Sequence, residues 1–399
     1  MVLFSLEEVL KPLASDFFFR EVWGKTYIFQ KGSDCKFQNL LPWSAINRIL
    51  TEHRLDHPRL RLAKEGQNIP AASFLDYHQS RRGSQIARLR SVDLTNLLRE
   101  GATLIIDAID EAHTPLRILA ENLEKTFHEY VQVNAYAGWG KTIGFDLHWD
   151  DHDVFVLQME GRKAWKIYGQ SRRSPLFRDK AETFKPPQNV IWEGILEQGD
   201  LLYIPRGWWH VATAIGEPTL HLTFGINNPT GIDFLNWLTE TLVESETFRM
   251  DLPRFSGEEE RTTHLNELRT ILFNHWNTKT LETFTKERDA LARQRPHLSL
   301  PHAATSEIIP DRDDIRLRCS CSRNPEFEVQ GDGKVTKIKA LGKLWQFDST
   351  AEPLLRTLLN GQVISIGDLK KQFAASFSSE DILTILRELL KEGLLNIVG

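Results

Sequence analysis

Hydrophobic and polar positions alternate most regularly in two stretches of the chain. Val131, Val133, Ala135 and Ala137 alternate with Gln132, Asn134 and Tyr136, and Lys163, Trp165 and Ile167 alternate with Ala164, Lys166 and Tyr168. Successive side chains on a strand leave opposite faces, so both stretches predict strands. Leu201–Ile204 is a short apolar run between the turn pair Gly199-Asp200 and the turn at residues 205–207, which predicts a third. Residues 103–108 and 221–226 read as further strands. Helical spacing predicts helices over 3–12, 44–52, 91–100, 115–127 and 233–246, and a pair or one bent helix over 257–295. Leu265, Leu268, Leu272 and Trp276 make a stripe on that last segment, whose plain reading is packing against the strand-rich part. The aromatics Phe17, Phe18 and Phe19 read as core. Near the carboxy terminus Ile382, Ile385, Leu386, Leu389 and Leu390 form one amphipathic face, with Ser378 and Asp381 as the cap, Gly393 as the stop and a strand at 394–398. Pro296, Pro301 and Pro310 mark a linker.

Composition narrows the class. A chain of 399 residues with 41% hydrophobic and 26% charged residues is of ordinary globular make-up and holds two or three domains. The net charge of -5 argues against a general nucleic-acid binder, which presents a basic face. Three cysteines imply a reducing compartment, and the close pair Cys319 and Cys321 lacks a second pair at zinc-finger spacing. Glu7 and Glu8 interrupt the apolar pattern of the first residues, unlike a signal peptide, and no run approaches the ~18 apolar residues of a membrane helix. A cytoplasmic protein without membrane contact is expected.

The chemistry gathers at His148-Trp149-Asp150 and at His210, which closes the segment 199–210. If residues 148–150 are extended, His148 and Asp150 reach one ion from one side, and His210 from the next strand completes two imidazoles and a carboxylate. That set leaves open positions and suits a non-haem Fe(II) centre. His152 shares the face and competes as a ligand, whereas Asp151 and Asp153 are expected to point away into solvent. Lys163 stands on an apolar strand face, where its charge needs a partner or must snorkel from a sheet edge. Asn134 and Tyr136 occupy the polar face of their strand, which lines a cavity if the strands close into a small barrel. On 221–226, His221 and Thr223 share a face; Thr223 joins the candidates, while His221 fits a hydrogen-bonded core histidine equally well.

The spacing Gly199-x5-Pro205-x-Gly207-x2-His210 resembles the second cupin motif. Together with the runs 148–158 and 160–168, it resembles the JmjC branch of the 2-oxoglutarate oxygenases, in particular the ribosomal-oxygenase group. The similarity covers residues 10–230 by motif and the rest by architecture. It implies an α+β chain: a double-stranded β-helix (JmjC/cupin jelly roll) with an amino-terminal extension over 1–230, a helical dimerisation region over 231–300 and a winged-helix-like domain over 301–399. It also implies Fe(II) on His148, Asp150 and His210, and 2-oxoglutarate with its far carboxylate on Lys163 and contacts from Asn134 and Tyr136. The activity implied is hydroxylation of a protein or peptide side chain with O2, a ribosomal protein among the candidate substrates, and homodimerisation through the 231–300 helices. Near balance of charge in the carboxy-terminal domain gives no support to DNA reading. Two rival readings stand beside it: a hydroxylase of a ribosomally made natural-product peptide, and a non-catalytic cupin-like scaffold, which would have no use for a cosubstrate anchor at Lys163. Demethylation ranks below stable hydroxylation.

Overall fold

In the computed structural model, contacts divide the chain into residues 1–228 and 229–399. The structure describes residues 4–181, 184–304, 309, 311–329 and 333–398.

Among the described residues the first unit holds thirteen strands: β1 (Ile28–Gln30), β2 (Leu60–Lys64), β3 (Gln67–Ile69), β4 (Leu75–Gln79), β5 (Gln85–Leu89), β6 (Thr103–Ile106), β7 (Val131–Gly138), β8 (Asp153–Glu160), β9 (Lys163–Gln170), β10 (Trp192–Leu196), β11 (Leu201–Ile204), β12 (Trp208–Ala214) and β13 (Thr219–Ile226). Eight of them form an antiparallel sheet in the order β1-β11-β8-β13-β7-β6-β2-β3, three form a second sheet, β10-β9-β12, and β4 pairs with β5.

Alternation decides which side chain goes where. On β7 the small apolar residues Val131, Val133, Ala135 and Ala137 enter the main core, with Leu220, Leu222, Phe224 and Ile226 of β13 beside them. The opposite faces carry Asn134, Tyr136, His221 and Thr223, and these line an internal cavity. The strand β8 is apolar on both faces because both are covered. Phe155, Leu157 and Met159 join the main core. Val154 and Val156 join a second cluster with Trp165, Ile167, Leu196, Leu202 and Ile204. That second cluster mixes residues of the two sheets and fills one part of the space between them; the cavity takes the rest. Phe155 and Phe224 are 1% and 0% exposed, and truncating either to alanine is expected to cost about 3–5 kcal/mol.

Helices over Leu6–Leu10, Trp43–Glu52, Ser91–Arg99 and Thr114–Phe127 contribute to the main core. The first is shorter than its spacing predicts and starts from a capping box between Ser5 and Glu8. Of the three phenylalanines read as core, only Phe18 is fully buried; Phe17 and Phe19 are 42% and 37% exposed.

In the second unit, helices span Gly231–Leu242, Glu246–Arg249, Glu258–His275 and Thr278–Ala290. No side chain of the helix Glu258–His275 is buried, and Leu265 and Trp276 of the apolar stripe are 64% and 50% exposed. Beyond it come β14 (Arg316–Cys319), β15 (Glu326–Val329), β16 (Val335–Ala340), β17 (Lys343–Asp348), β18 (Ile364–Ser365) and β19 (Leu395–Val398), in sheets β18-β14-β19 and β15-β16-β17. Helices Glu352–Leu359, Ile366–Phe373 and Ser379–Lys391 share one core with β14 and β16. Ser378 and Asp381 form the capping box of the last helix, and Gly393 turns the chain at φ +78°. Cys319 and Cys321 are buried. Pro310 of the expected linker lies outside the described residues.

Candidate metal centre

His148 and Asp150 are not on a strand. β8 begins only at Asp153, and residues 148–150 approach it as irregular backbone anchored at two points. The His148 N–H donates to the His210 carbonyl at 3.2 Å and the His210 N–H to the His148 carbonyl at 2.8 Å, an isolated antiparallel bridge. The Gly207 N–H, in the turn before β12, donates to the Asp150 carbonyl at 2.8 Å. A single bridge is too short to count as a strand, yet it is enough to set both imidazoles side by side, with centroids 4.5 Å apart.

Each imidazole is oriented by a nearby carbonyl. Nδ1 of His148 lies 2.7 Å from the Asp146 oxygen, and Nδ1 of His210 lies 2.9 Å from the Trp208 oxygen. A carbonyl only accepts, so Nδ1 carries the proton in both rings and each Nε2 keeps its lone pair for a metal. Burial, then the neighbouring His148, pushes His210 down to about 4, so it is neutral at physiological pH, as a ligand must be. Nε2 of His210 sits 3.6 Å from an Asp150 oxygen. Burial raises the Asp150 carboxyl, but His152, His148, His210 and Lys180 together outweigh that and hold it below its ordinary value. One ligand atom from each of His148, Asp150 and His210 falls within 4.8 Å of the others. This separation, with both lone pairs free, fits one divalent ion.

The bridge is held from behind by the β2–β3 turn. The Glu65 and Gly66 amides donate to the carbonyls of Ile143 and Gly144 at 2.9 and 3.2 Å. Gly66 has φ +78°, and a Cβ there would stand 2.1 Å from an Asp146 carboxylate oxygen. Only glycine combines that backbone with that approach.

The three candidate ligands line a cavity of about 400 Å³ together with Lys163, Asn134, Tyr136 and Thr223. Lys163 is 4% exposed, and burial pushes its ammonium down to about 8; among the described residues it has no ion-pair partner. Asn134 accepts from the Ala108 N–H at 3.0 Å and the Gln132 amide at 3.2 Å, which leaves its own NH2 as a donor. Burial, then Asp107, pushes the Tyr136 hydroxyl up to about 12, so it is a neutral donor. His221 lines the same cavity and is stacked on Tyr136 at 5.0 Å; its Nδ1 has no hydrogen-bond partner among the described residues.

His152 also lines the cavity but stays outside the ligand cluster. Its ring is turned to Asp151, 3.4 Å away, and lies so close to β13 that a Cβ on Gly225 would meet it at 2.7 Å. Asp151 and Asp153, expected in solvent, are 9% and 6% exposed. Partners distant in sequence explain this. Asp151 takes the Lys180 ammonium at 2.6 Å, and hydrogen bonds from His152, then Lys180, hold its carboxyl well below the ordinary range. Asp153 accepts from the Tyr203 hydroxyl at 2.5 Å and the Asn228 amide at 3.2 Å. Arg61 is a further cavity residue, in a bidentate pair with Asp107 at 2.8 and 3.0 Å. Its signal was available in the alternation of Leu60 and Leu62 about it.

A family model described as the JmjC domain matches residues 112–234, which span β7 to β13 and all three candidate ligands. Over that segment the chain is similar to the JmjC-domain family. Curated relatives named bifunctional lysine-specific demethylase and histidyl-hydroxylase NO66 align over the same part. That of Drosophila willistoni is 29% identical over 55% of this chain and 28% of its own length, and that of Drosophila yakuba is 29% identical over 55% and 32%. The chain thus spans about a third or less of those relatives. Among solved structures, YcfD, a ribosomal oxygenase from Escherichia coli, matches with a TM-score of 0.60 and 17% identity, covering 97% of this chain and 99% of its own. YcfD in complex with cobalt and 2-oxoglutarate matches at 0.59 with the same identity and coverage. At that identity the likeness shows the fold, and it extends beyond the JmjC domain into the second unit. Among the described residues no helix is long and apolar enough to cross a membrane.

Proposed function

We propose that this chain is an Fe(II)- and 2-oxoglutarate-dependent hydroxylase of a protein side chain, with a ribosomal protein as the substrate class. The observation that carries it is the pairing, in one cavity, of a three-ligand cluster with a buried ammonium that meets no counter-charge among the described residues. Bound Fe(II) with 2-oxoglutarate supplies oxidative decarboxylation to succinate coupled to hydroxylation of a substrate C–H bond. In that role Nε2 of His148, Nε2 of His210 and the Asp150 carboxylate hold the ion, and the fixed Nδ1–H tautomers keep both rings aimed at it. Lys163 pairs with the far carboxylate of the cosubstrate, which returns the interaction its ammonium loses on burial. The NH2 of Asn134, which also reaches the Tyr136 oxygen, and the Tyr136 hydroxyl donate from β7, and Thr223 faces them from β13. The walls, Val154 and Val156 with Trp165, exclude water from the reacting atoms.

The names of the relatives, a ribosomal oxygenase and a histidyl-hydroxylase, favour a protein substrate over a small molecule. The same reading takes the protein as cytoplasmic and as a homodimer through residues 231–300, where Leu265 and Trp276 are exposed. It takes residues 301–399 as a winged-helix-like domain for protein contact.

The test is succinate release from 2-oxoglutarate under air with added Fe(II), with and without a pool of ribosomal proteins, for the wild type, His148→Ala and Lys163→Ala. Turnover in the wild type and its loss in both variants is the expected result. No turnover with any pool, together with no 2-oxoglutarate binding by calorimetry, would leave the scaffold reading standing.

A further inference from the structure

Unsatisfied polarity in the cavity is concentrated near Lys163. The indole N–H of Trp165 is buried without a partner among the described residues, and the residue is 3% exposed. Trp165 lies two positions after Lys163 on β9 and so shares its face. Its ring stacks beside the His210 imidazole with centroids 6.1 Å apart and meets His221 nearly perpendicularly at 5.4 Å. His221, 3% exposed, adds a second orphan, Nδ1. All of these residues line the cavity.

Buried donors in native proteins are as a rule satisfied, and an exception asks for a ligand or a water. Here the chemistry of the group decides which. An ammonium and an indole N–H only donate, so neither can satisfy the other. A water would relieve the indole but bring no charge to Lys163. A carboxylate does both, since its two oxygens offer enough lone pairs for several donors at once.

We infer that the Trp165 Nε1–H donates a hydrogen bond to the same carboxylate that pairs with Lys163, so that one face of β9 supplies both the charge and a directed donor for the remote end of 2-oxoglutarate. The inference rests on the function proposed above and deepens it. Lys163 gives attraction without direction, because its ammonium is a point charge on a flexible stem. The indole is fixed between His210 and His221, so its N–H sets where the carboxylate comes to rest. A hydrogen bond to a charged acceptor of this kind is worth about 10–100-fold in affinity.

Calorimetry on the Co(II)-loaded protein tests it, with 2-oxoglutarate and, separately, oxalate, which chelates a metal but has no remote arm. Trp165→Phe is expected to weaken 2-oxoglutarate about 10–100-fold and to leave oxalate within about twofold. Replacing Trp165 by 3-benzothienylalanine keeps the bicyclic shape, removes only the donor and is expected to act alike, with thermal melts confirming that both variants fold. Unchanged 2-oxoglutarate affinity in the benzothienyl protein would overturn the inference. So would equal losses for the two ligands, which would make Trp165 a support for His210 instead. A wild type that takes up Co(II) and oxalate but not 2-oxoglutarate would overturn the proposed function itself, and this inference with it.

Discussion

The two ends of the cavity are built on opposite terms. At the metal-facing end almost every polar group is already answered by the protein: both Nδ1–H groups by carbonyls and the two backbones by each other. At the Lys163 end an ammonium, an indole N–H and an imidazole nitrogen stand buried and unanswered among the described residues. The first end is assembled before anything binds, so it governs how tightly an ion is held. The second carries a deficit that folding alone does not remove, so it reports the chemistry of what must arrive: an anion rich in acceptors.

Removing a ligand should break the first end outright. His148→Ala is expected to lower Co(II) affinity at least ~100-fold, more than the loss of an outer partner would, and to abolish succinate formation; retention of either would mean that the ion sits elsewhere. The second end gives a smaller effect of unusual sign. Burial pushes Lys163 from 10.5 down to about 8. Between those values the unfolded chain binds the proton and the folded one does not, so the stability of the unliganded protein rises with pH across that window. The rise amounts to roughly 3 kcal/mol. Lys163→Met should remove it and stabilise the unliganded protein at pH 7 by a similar amount, while 2-oxoglutarate binding is lost. Urea unfolding of both proteins at pH 7 and pH 10 reads this directly, and parallel pH dependence would show that Lys163 has a partner in solution.

Next in size is the support behind the metal-facing end. Gly66→Ala forces a Cβ against Asp146 at positive φ, and is expected to cost about 1–3 kcal/mol of stability and up to ~10-fold in Co(II) affinity through the His148 orientation. A stability loss with unchanged Co(II) affinity would confine Gly66 to the fold. The smallest effect belongs to the second unit. Ser378→Ala removes a helix cap and should cost about 1 kcal/mol in denaturant unfolding with no change in 2-oxoglutarate affinity, the control against which the cavity variants are read.

β7 and β9 were legible because each has one face buried and one polar, which writes period two into the sequence. β11 is apolar on both faces and was legible from the turns that bound it. Residues 148–150 carry neither mark: they are held by one bridge and one turn, and nothing local distinguishes that from a strand. The burial of Asp151 and Asp153 was hidden because their partners, Lys180, Tyr203 and Asn228, are 29 to 75 residues away. Trp165 reads as plain core on any apolar face, since a sequence cannot tell whether an indole N–H has found an acceptor. The β15-β16-β17 meander was missed although Thr336, Ile338 and Ala340 alternate with Val335, Lys337 and Lys339; the lysines on its outward face lowered the apolar signal. On Glu258–His275 helical spacing identifies a face without saying what covers it.

The reciprocal hydrogen bonds between His148 and His210 join the approach to β8 of the large sheet with β12 of the small one. They work as a clasp across a seam. Opening the clasp parts the two imidazoles and exposes the two amide protons to solvent. An ion held by both side chains should therefore slow amide exchange at the same two residues.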